Sequence, residues 1–161
     1  MIIHTMNSEL KGAKAEEFFD FMLNPIPEIY KHWLPEEHHE FYIVKRGESS
    51  PVGDLVFYDQ HISKAHRLKF HAIVRIAENE RKIVYQMRKF GINLPGYLDL
   101  EFHNAEGCLL LREEIRIGFN GIGKILDPII RLFFNKSFFT AMNSHHKREW
   151  SCLAELLAGE G

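Results

Sequence analysis

Cysteine is scarce in this chain of 161 residues: only Cys108 and Cys152 are present. Two thiols cannot build a disulfide framework, and a reduced, cytoplasmic setting is the expectation. A basic excess is missing too. The 20 Lys and Arg are set against 22 Asp and Glu, for a net charge of −2, so the clustered positive charge of a nucleic-acid footprint is absent. No apolar run reaches the roughly 18 residues of a membrane span. The opening Met1-Ile2-Ile3-His4-Thr5 has neither the basic n-region nor the long apolar h-region of a signal peptide. Gly118-Phe119-Asn120-Gly121-Ile122-Gly123 lacks the lysine and the strand–loop–helix setting of a phosphate loop. There is no Gly-x-Ser-x-Gly elbow, and neither cysteine has a clear activating partner. Internal repeats, low-complexity tracts and long linkers are also lacking. One domain over residues 1–161 is the natural reading.

Aromatic residues are abundant, with 13 phenylalanines in a chain that is 45% hydrophobic. They supply bulk to line a core or a cavity. Along the chain, Ile2 to Leu10 forms a weak strand pattern. Lys14 to Leu23 places Ala15, Phe18, Phe19, Met22 and Leu23 at helical spacing. Asn24-Pro25-Ile26-Pro27 ends that helix, and Pro27 suits the first turn of a second one. That short helix carries Ile29, Tyr30 and Trp33 and stops at Pro35. The period then turns strand-like. Strands are predicted over Phe41–Arg46, Gly53–Ile62, His66–Ala77, Lys82–Met87, Tyr97–His103 and Leu109–Gly118, joined by turns such as Ser63-Lys64-Ala65 and Glu78-Asn79-Glu80. Six strands with short connections imply an antiparallel sheet. On the last of them Arg112, Glu114 and Arg116 fall opposite Leu111, Glu113, Ile115 and Ile117, as outward salt-bridging residues would.

Asp127-Pro128 reads as a helix start. One helix of roughly thirty residues is predicted from there to Gly159. Its inner stripe is Phe134, Phe138, Met142, His145, Glu149, Cys152 or Leu153, and Leu156. A helix this long needs a sheet wrapped along it. The expected class is α+β: a curved antiparallel sheet gripping a long C-terminal helix, with two short helices near the N-terminus. This order resembles the helix-grip superfamily (START, Bet v 1 and polyketide cyclase, or SRPBCC) over nearly the whole chain. The resemblance implies an internal pocket, expected at about several hundred Å3, but no particular chemistry.

His145 and Glu149 stand four apart on the apolar stripe, so they project together from one helix face. Buried polar groups need partners. The spacing suits two ligands on one metal ion, and it equally suits an intrahelical His–Glu hydrogen bond. Upstream, Tyr30-x-x-Trp33-x-Pro35-x-x-His38-x-x-Phe41 sits where the short helices meet the sheet. Together with the distant His-x-x-x-Glu it is similar to the diacetylphloroglucinol hydrolase branch of the superfamily. That resemblance implies a zinc ion and cleavage of a carbon–carbon bond beside an aromatic ring. It implies His38, His145 and Glu149 as metal ligands and Tyr30 as a proton donor to the departing carbanion. The branch's strand glutamate falls on Gln60, with Asp59 beside it. Neighbouring strand residues face opposite ways, so an inward Gln60 means an outward Asp59. Three protein ligands still suffice for catalytic zinc.

Two readings follow. One is a zinc-dependent hydrolase of an aromatic or polyketide-like ketone. The other is a metal-free binding protein for a hydrophobic or aromatic small molecule or lipid. Under both, Trp33, Phe41, Phe57, Tyr97, Phe138 and Met142 are the expected pocket lining. Homo-oligomerisation stays open.

Overall fold

A computed structural model describes residues 1–119 and 121–159. The chain runs β1 (Ile2–Lys11), α1 (Ala15–Leu23), α2 (Pro27–Trp33), β2 (His38–Lys45), β3 (Leu55–Ser63), β4 (His66–Glu78), β5 (Lys82–Lys89), β6 (Ile92–Ala105) and β7 (Cys108–Ile117). A 3-10 turn (Gly121–Leu126), α3 (Asp127–Phe133) and α4 (Lys136–Gly159) follow. The strands form a seven-stranded antiparallel sheet in the order β1-β7-β6-β5-β4-β3-β2. The weak N-terminal pattern is therefore a full strand. It pairs with β7 from Ile2–Ile117 to Lys11–Cys108.

Alternation decides which side of the sheet each residue serves. Val56 and Tyr58 on β3, Ala72 and Val74 on β4, Leu100 and Phe102 on β6, and Leu109 and Leu111 on β7 are all buried in the core. The opposite face carries ion pairs. Glu101 binds Lys82 at 2.9 Å and Arg112 at 3.1 Å, and Arg116 binds Asp99 at 2.8 Å. The bulged register of β2, β3, β4 and β5 supplies the local twist that lets a sheet curl. At Gly96 a Cβ would come within 2.5 Å of the Met87 sulfur; glycine there leaves room for that thioether on the concave side.

α1 and α2 close one end of the curl. Phe18, Phe21 and Met22 are buried there, and Tyr85 donates its hydroxyl proton to the Met22 carbonyl at 2.6 Å. Trp33 of α2 packs against Trp150 of α4, with ring centroids 5.3 Å apart. A fully buried aromatic of this size contributes about 1.5–3 kcal/mol through the area it removes from water.

The C-terminal segment differs from the single helix predicted. Helix α3 ends at Phe133, Phe134 leaves helical geometry (φ −98, ψ 67), and α4 starts at Lys136. The cause is local. Asn135 turns its side-chain oxygen onto the Phe138 amide at 3.1 Å, which caps a new helix. The sheet grips α4, which buries Phe138, Met142, His145, His146, Glu149, Trp150 and Leu153, whereas α3 buries nothing.

Candidate functional site

Between α4 and the concave face lies a cavity of about 70 Å3, walled by Leu68, Phe70, Met87, Ile115, Phe138 and Met142 among others. It is much smaller than the several hundred Å3 expected, because these long apolar side chains close over it. Four of the anticipated lining residues, Trp33, Tyr97, Phe138 and Met142, border it. The other two need correction. Phe57 is odd-numbered on β3 and faces the convex side, beside His71 and Lys69. Phe41 is packed between Tyr58 and Tyr30, with centroids 4.2 and 5.4 Å away, and does not reach the cavity. Tyr97, which does border it, also carries the Arg116 guanidinium over its ring.

At one pole of the cavity α2, β2, β3 and α4 bring polar residues together. His38 opens β2 directly after the short helices, and its ring stacks on Tyr30 at 4.2 Å. The α4 spacing sets His145 and Glu149 one turn apart on the buried stripe. Nε2 of His38 lies 3.4 Å from one Glu149 oxygen, and Nε2 of His145 lies 3.5 Å from the other. One donor atom from each of the three falls within 4.8 Å of the others. Trp33 Nε1 donates to the Glu149 backbone carbonyl, which ties α2 to α4 at this level.

Gln60 and Asp59 divide as strand geometry requires. Gln60 borders the cavity, and its amide oxygen accepts the Tyr30 hydroxyl at 2.7 Å. Asp59 turns outward into a two-pronged pair with Arg67, at 2.7 Å twice, and to Lys69 at 3.2 Å. The Arg67 hydrogen bonds hold its carboxyl below the usual range.

Glu37 completes the pole, and its role was not assigned from the sequence. One of its oxygens meets His145 Nδ1 at 2.5 Å, and the other accepts Arg148 at 2.6 Å. A partner on Nδ1 leaves Nε2 of His145 directed at the site. Burial by itself would lower the His145 pKa, but the nearby Glu149 carboxylate, then that of Glu37, outweigh it and raise the pKa to about 9. Burial would raise the Glu149 carboxyl; His145 and then His38 outweigh that and hold it below the usual carboxylate range. Tyr30 moves the other way: burial, then the Glu149 and Asp59 charges, push its hydroxyl well above 10.

A second buried polar group escaped the sequence reading. Glu113 of β7 borders the cavity and accepts His146 Nδ1 at 2.6 Å and Trp150 Nε1 at 3.0 Å on one oxygen. His146 Nε2 meets the Ser8 hydroxyl at 2.8 Å. The signal was available: His146 stands midway between Met142 and Trp150 at intervals of four, and Glu113 falls on the apolar phase of β7.

The donor set suits a metal such as zinc. Both nitrogens of His38 and Nε2 of His145 are buried without a hydrogen-bond partner among the described residues. A buried unpaired polar atom costs about 1–3 kcal/mol, and two imidazoles with a carboxylate are a donor combination that zinc accepts.

No protein-family model matches the chain, and no curated protein does. Solved structures are informative about shape. A START superfamily protein from Mycobacterium smegmatis superposes with a TM-score of 0.64 at 14% identity, covering 96% of this chain and 98% of its own. The protein TTHA0849 from Thermus thermophilus gives 0.63 at 11%, covering 99% and 100%. The Bet v 1 allergen Ara h 8.0201 gives 0.52 at 14%, covering 89% and 97%. Identities this low speak for architecture alone: the chain has the helix-grip fold of the START and Bet v 1 proteins.

Proposed function

We propose that His38, His145 and Glu149 hold a zinc ion, and that the protein is a zinc-dependent hydrolase cleaving a carbon–carbon bond in an aromatic or polyketide-like ketone. The observation that carries this reading is the set of unpartnered imidazole nitrogens gathered on one buried carboxylate. When bound, the ion supplies a Lewis acid to polarise a substrate oxygen or acidify a water. The chain's own residues support that chemistry. Glu37 fixes the orientation of His145. Tyr30 keeps its proton at neutral pH because its hydroxyl is held well above 10. It lies against His38 and donates to Gln60, and in this reading that proton passes to the departing carbanion. Gln60, being neutral, orients Tyr30 without adding a second negative charge. Trp33, Phe138 and Met142 keep water away.

A second reading has its own support. The His145–Glu149 pair partly compensates itself in the absence of metal, Glu113 is satisfied by His146 and Trp150, and most of the remaining cavity lining is apolar. A metal-free binding protein for a hydrophobic small molecule needs no more. Elemental analysis separates the two. The enzyme reading expects close to one zinc per chain, lost in His145→Ala and weakened about 10- to 100-fold in Glu37→Gln. Protein that stays metal-free after dialysis against zinc supports the binding module instead.

A further inference from the structure

Two exposed apolar projections lie at the same end of the sheet, and neither serves the core. The first is the β5–β6 hairpin tip. Phe90 is 91% exposed there and Ile92 66%. The second is the stretch formed by the 3-10 turn and α3, where Ile125 is 79% exposed, Leu132 73% and Phe133 71%, with Ile129 also exposed. The amide of Gly118, just past β7, donates to the Pro95 carbonyl at 2.9 Å. That bond holds the chain entering the 3-10 turn beside the start of β6, and so on the hairpin's side of the molecule.

The hairpin carries a conformational cost, against which the Phe90 ring has an exposed cation–π contact with Lys89 Nζ at 5.6 Å but almost no burial. Its two-residue loop, Phe90-Gly91, has φ of 52 and 77. This is the turn geometry that favours Asn, Asp or Gly at both positions. A bulky residue held at positive φ is disfavoured, and Phe90 buries almost nothing to offset it. Charge is equally biased. Arg88 and Lys89 flank the hairpin tip, and Lys124, Arg131 and Lys136 flank the apolar α3 residues, against a single carboxylate, Asp127, in both segments. The chain as a whole is acidic, at −2, so these cations are segregated to the apolar end.

We infer that this end docks on an anionic phospholipid surface, with Phe90, Ile125, Ile129, Leu132 and Phe133 entering the interface and the flanking lysines and arginines meeting the headgroups. Apolar residues rimmed by cations are the pattern of interfacial binding. A second copy fits less well: a two-fold pairing of this face would bring two copies of the same cation-rich patch, with Lys124, Arg131 and Lys136, together. The α3 stretch runs directly into Phe134 and Phe138, which wall the cavity. Docking therefore lays the part of the cavity wall made by Phe134 and Phe138 toward the bilayer, on the side from which an apolar ligand could pass between the two without crossing water. The inference does not depend on the metal reading, because none of these residues touches His38, His145 or Glu149.

Vesicle flotation tests it, comparing phosphatidylcholine vesicles with vesicles containing one third phosphatidylglycerol. The expected result is binding to the anionic vesicles only, weakened by added salt. Lys124→Ala and Arg131→Ala should each reduce affinity about fivefold. Phe133→Ser and Leu132→Ser should release the protein while leaving its melting temperature unchanged. Phe90→Asn is the sharpest arm: it should raise the melting temperature by relieving the turn and lower vesicle binding at the same time. Three results would each overturn the inference. These are no flotation at low salt, equal flotation with neutral vesicles, and unchanged binding by Phe90→Asn. A dimer in size-exclusion chromatography that Phe133→Ser dissolves would assign the face to a second copy instead.

Discussion

At the scale of single residues, Gln60 is the most informative position. It faces the cavity and holds the Tyr30 hydroxyl. A glutamate there would still accept that hydroxyl, but it would place a second carboxylate beside Glu149. The sign of the effect therefore depends on the metal. Without zinc, Gln60→Glu should destabilise the protein, because like charges in a buried site repel. With zinc, the added anionic ligand should tighten binding and reverse the loss. Thermal melts with chelator and with zinc check both halves, and a variant less stable under both conditions removes Gln60 from the ligand set. That Gln60 and Asp59 face opposite ways was legible from strand alternation, while the choice of Gln60 as the inward one came from the family resemblance; the shared face of His145 and Glu149 was legible from helix spacing. Glu37 was not. It lies in a loop between α2 and β2, where no period predicts a direction, and its role depends on a contact with His145 that only the fold creates.

At the scale of elements, the break between α3 and α4 is the clearest departure from the sequence reading. The apolar residues keep a helical rhythm across Phe134, so periodicity does not register the interruption. The signal lay in capping chemistry. Asn135 is followed by a strong apolar pair, Phe138 and Phe139, and its side chain takes the Phe138 amide. Asn135→Ala should cost about 1 kcal/mol, the usual value of such a cap, and fray the first turn of α4. Amide exchange over Lys136–Phe139 should quicken with little change elsewhere. Protection unchanged along that turn would mean that packing of Phe138, rather than the cap, sets the start of α4. The strands were far more legible, because one buried face imposes a period of two that survives in the sequence. Phe57 is the instructive miss. Its hydrophobicity suggested the pocket, yet its odd position on β3 sends it to the convex face with Lys69 and His71.

At the scale of the molecule, the cavity is defined by what fills it. The roughly 70 Å3 present is a remainder left by Phe, Met and Leu side chains, and sequence cannot predict a remainder. Met142 is the adjustable member, since its thioether chain changes shape at low cost. Met142→Ala should enlarge the space and admit larger apolar ligands. The destabilisation should be about 2–5 kcal/mol if the surroundings do not collapse. Calorimetry with a series of substituted benzenes would show the size limit moving upward, and an unmoved limit would mean that the walls relax into the gap.

Protonation of the polar pole should set the pH dependence of the whole fold, and the metal should invert it. In the metal-free protein the His145 pKa is raised from 6.5 to about 9. The stability this group contributes is fully present below about 6.5 and is lost as pH rises through about 9. Glu149 is held below its ordinary 4.5, so its contribution is present above that value and is lost as the solution is acidified further. The metal-free melting temperature should therefore be highest between about pH 4.5 and 6.5 and decline toward pH 9. Zinc requires the neutral imidazole, so its binding displaces the His145 proton and strengthens as protons become scarce. Melts across pH 5 to 9 with chelator and with zinc should thus diverge, falling in the first series and holding or rising in the second. Calorimetric titration near neutral pH in buffers of different ionisation enthalpy should show proton release as zinc binds. A metal-free profile that rises from pH 6.5 to 9 would mean that His145 carries no extra proton in the folded state, and that the carboxylates around it do not act as the geometry indicates.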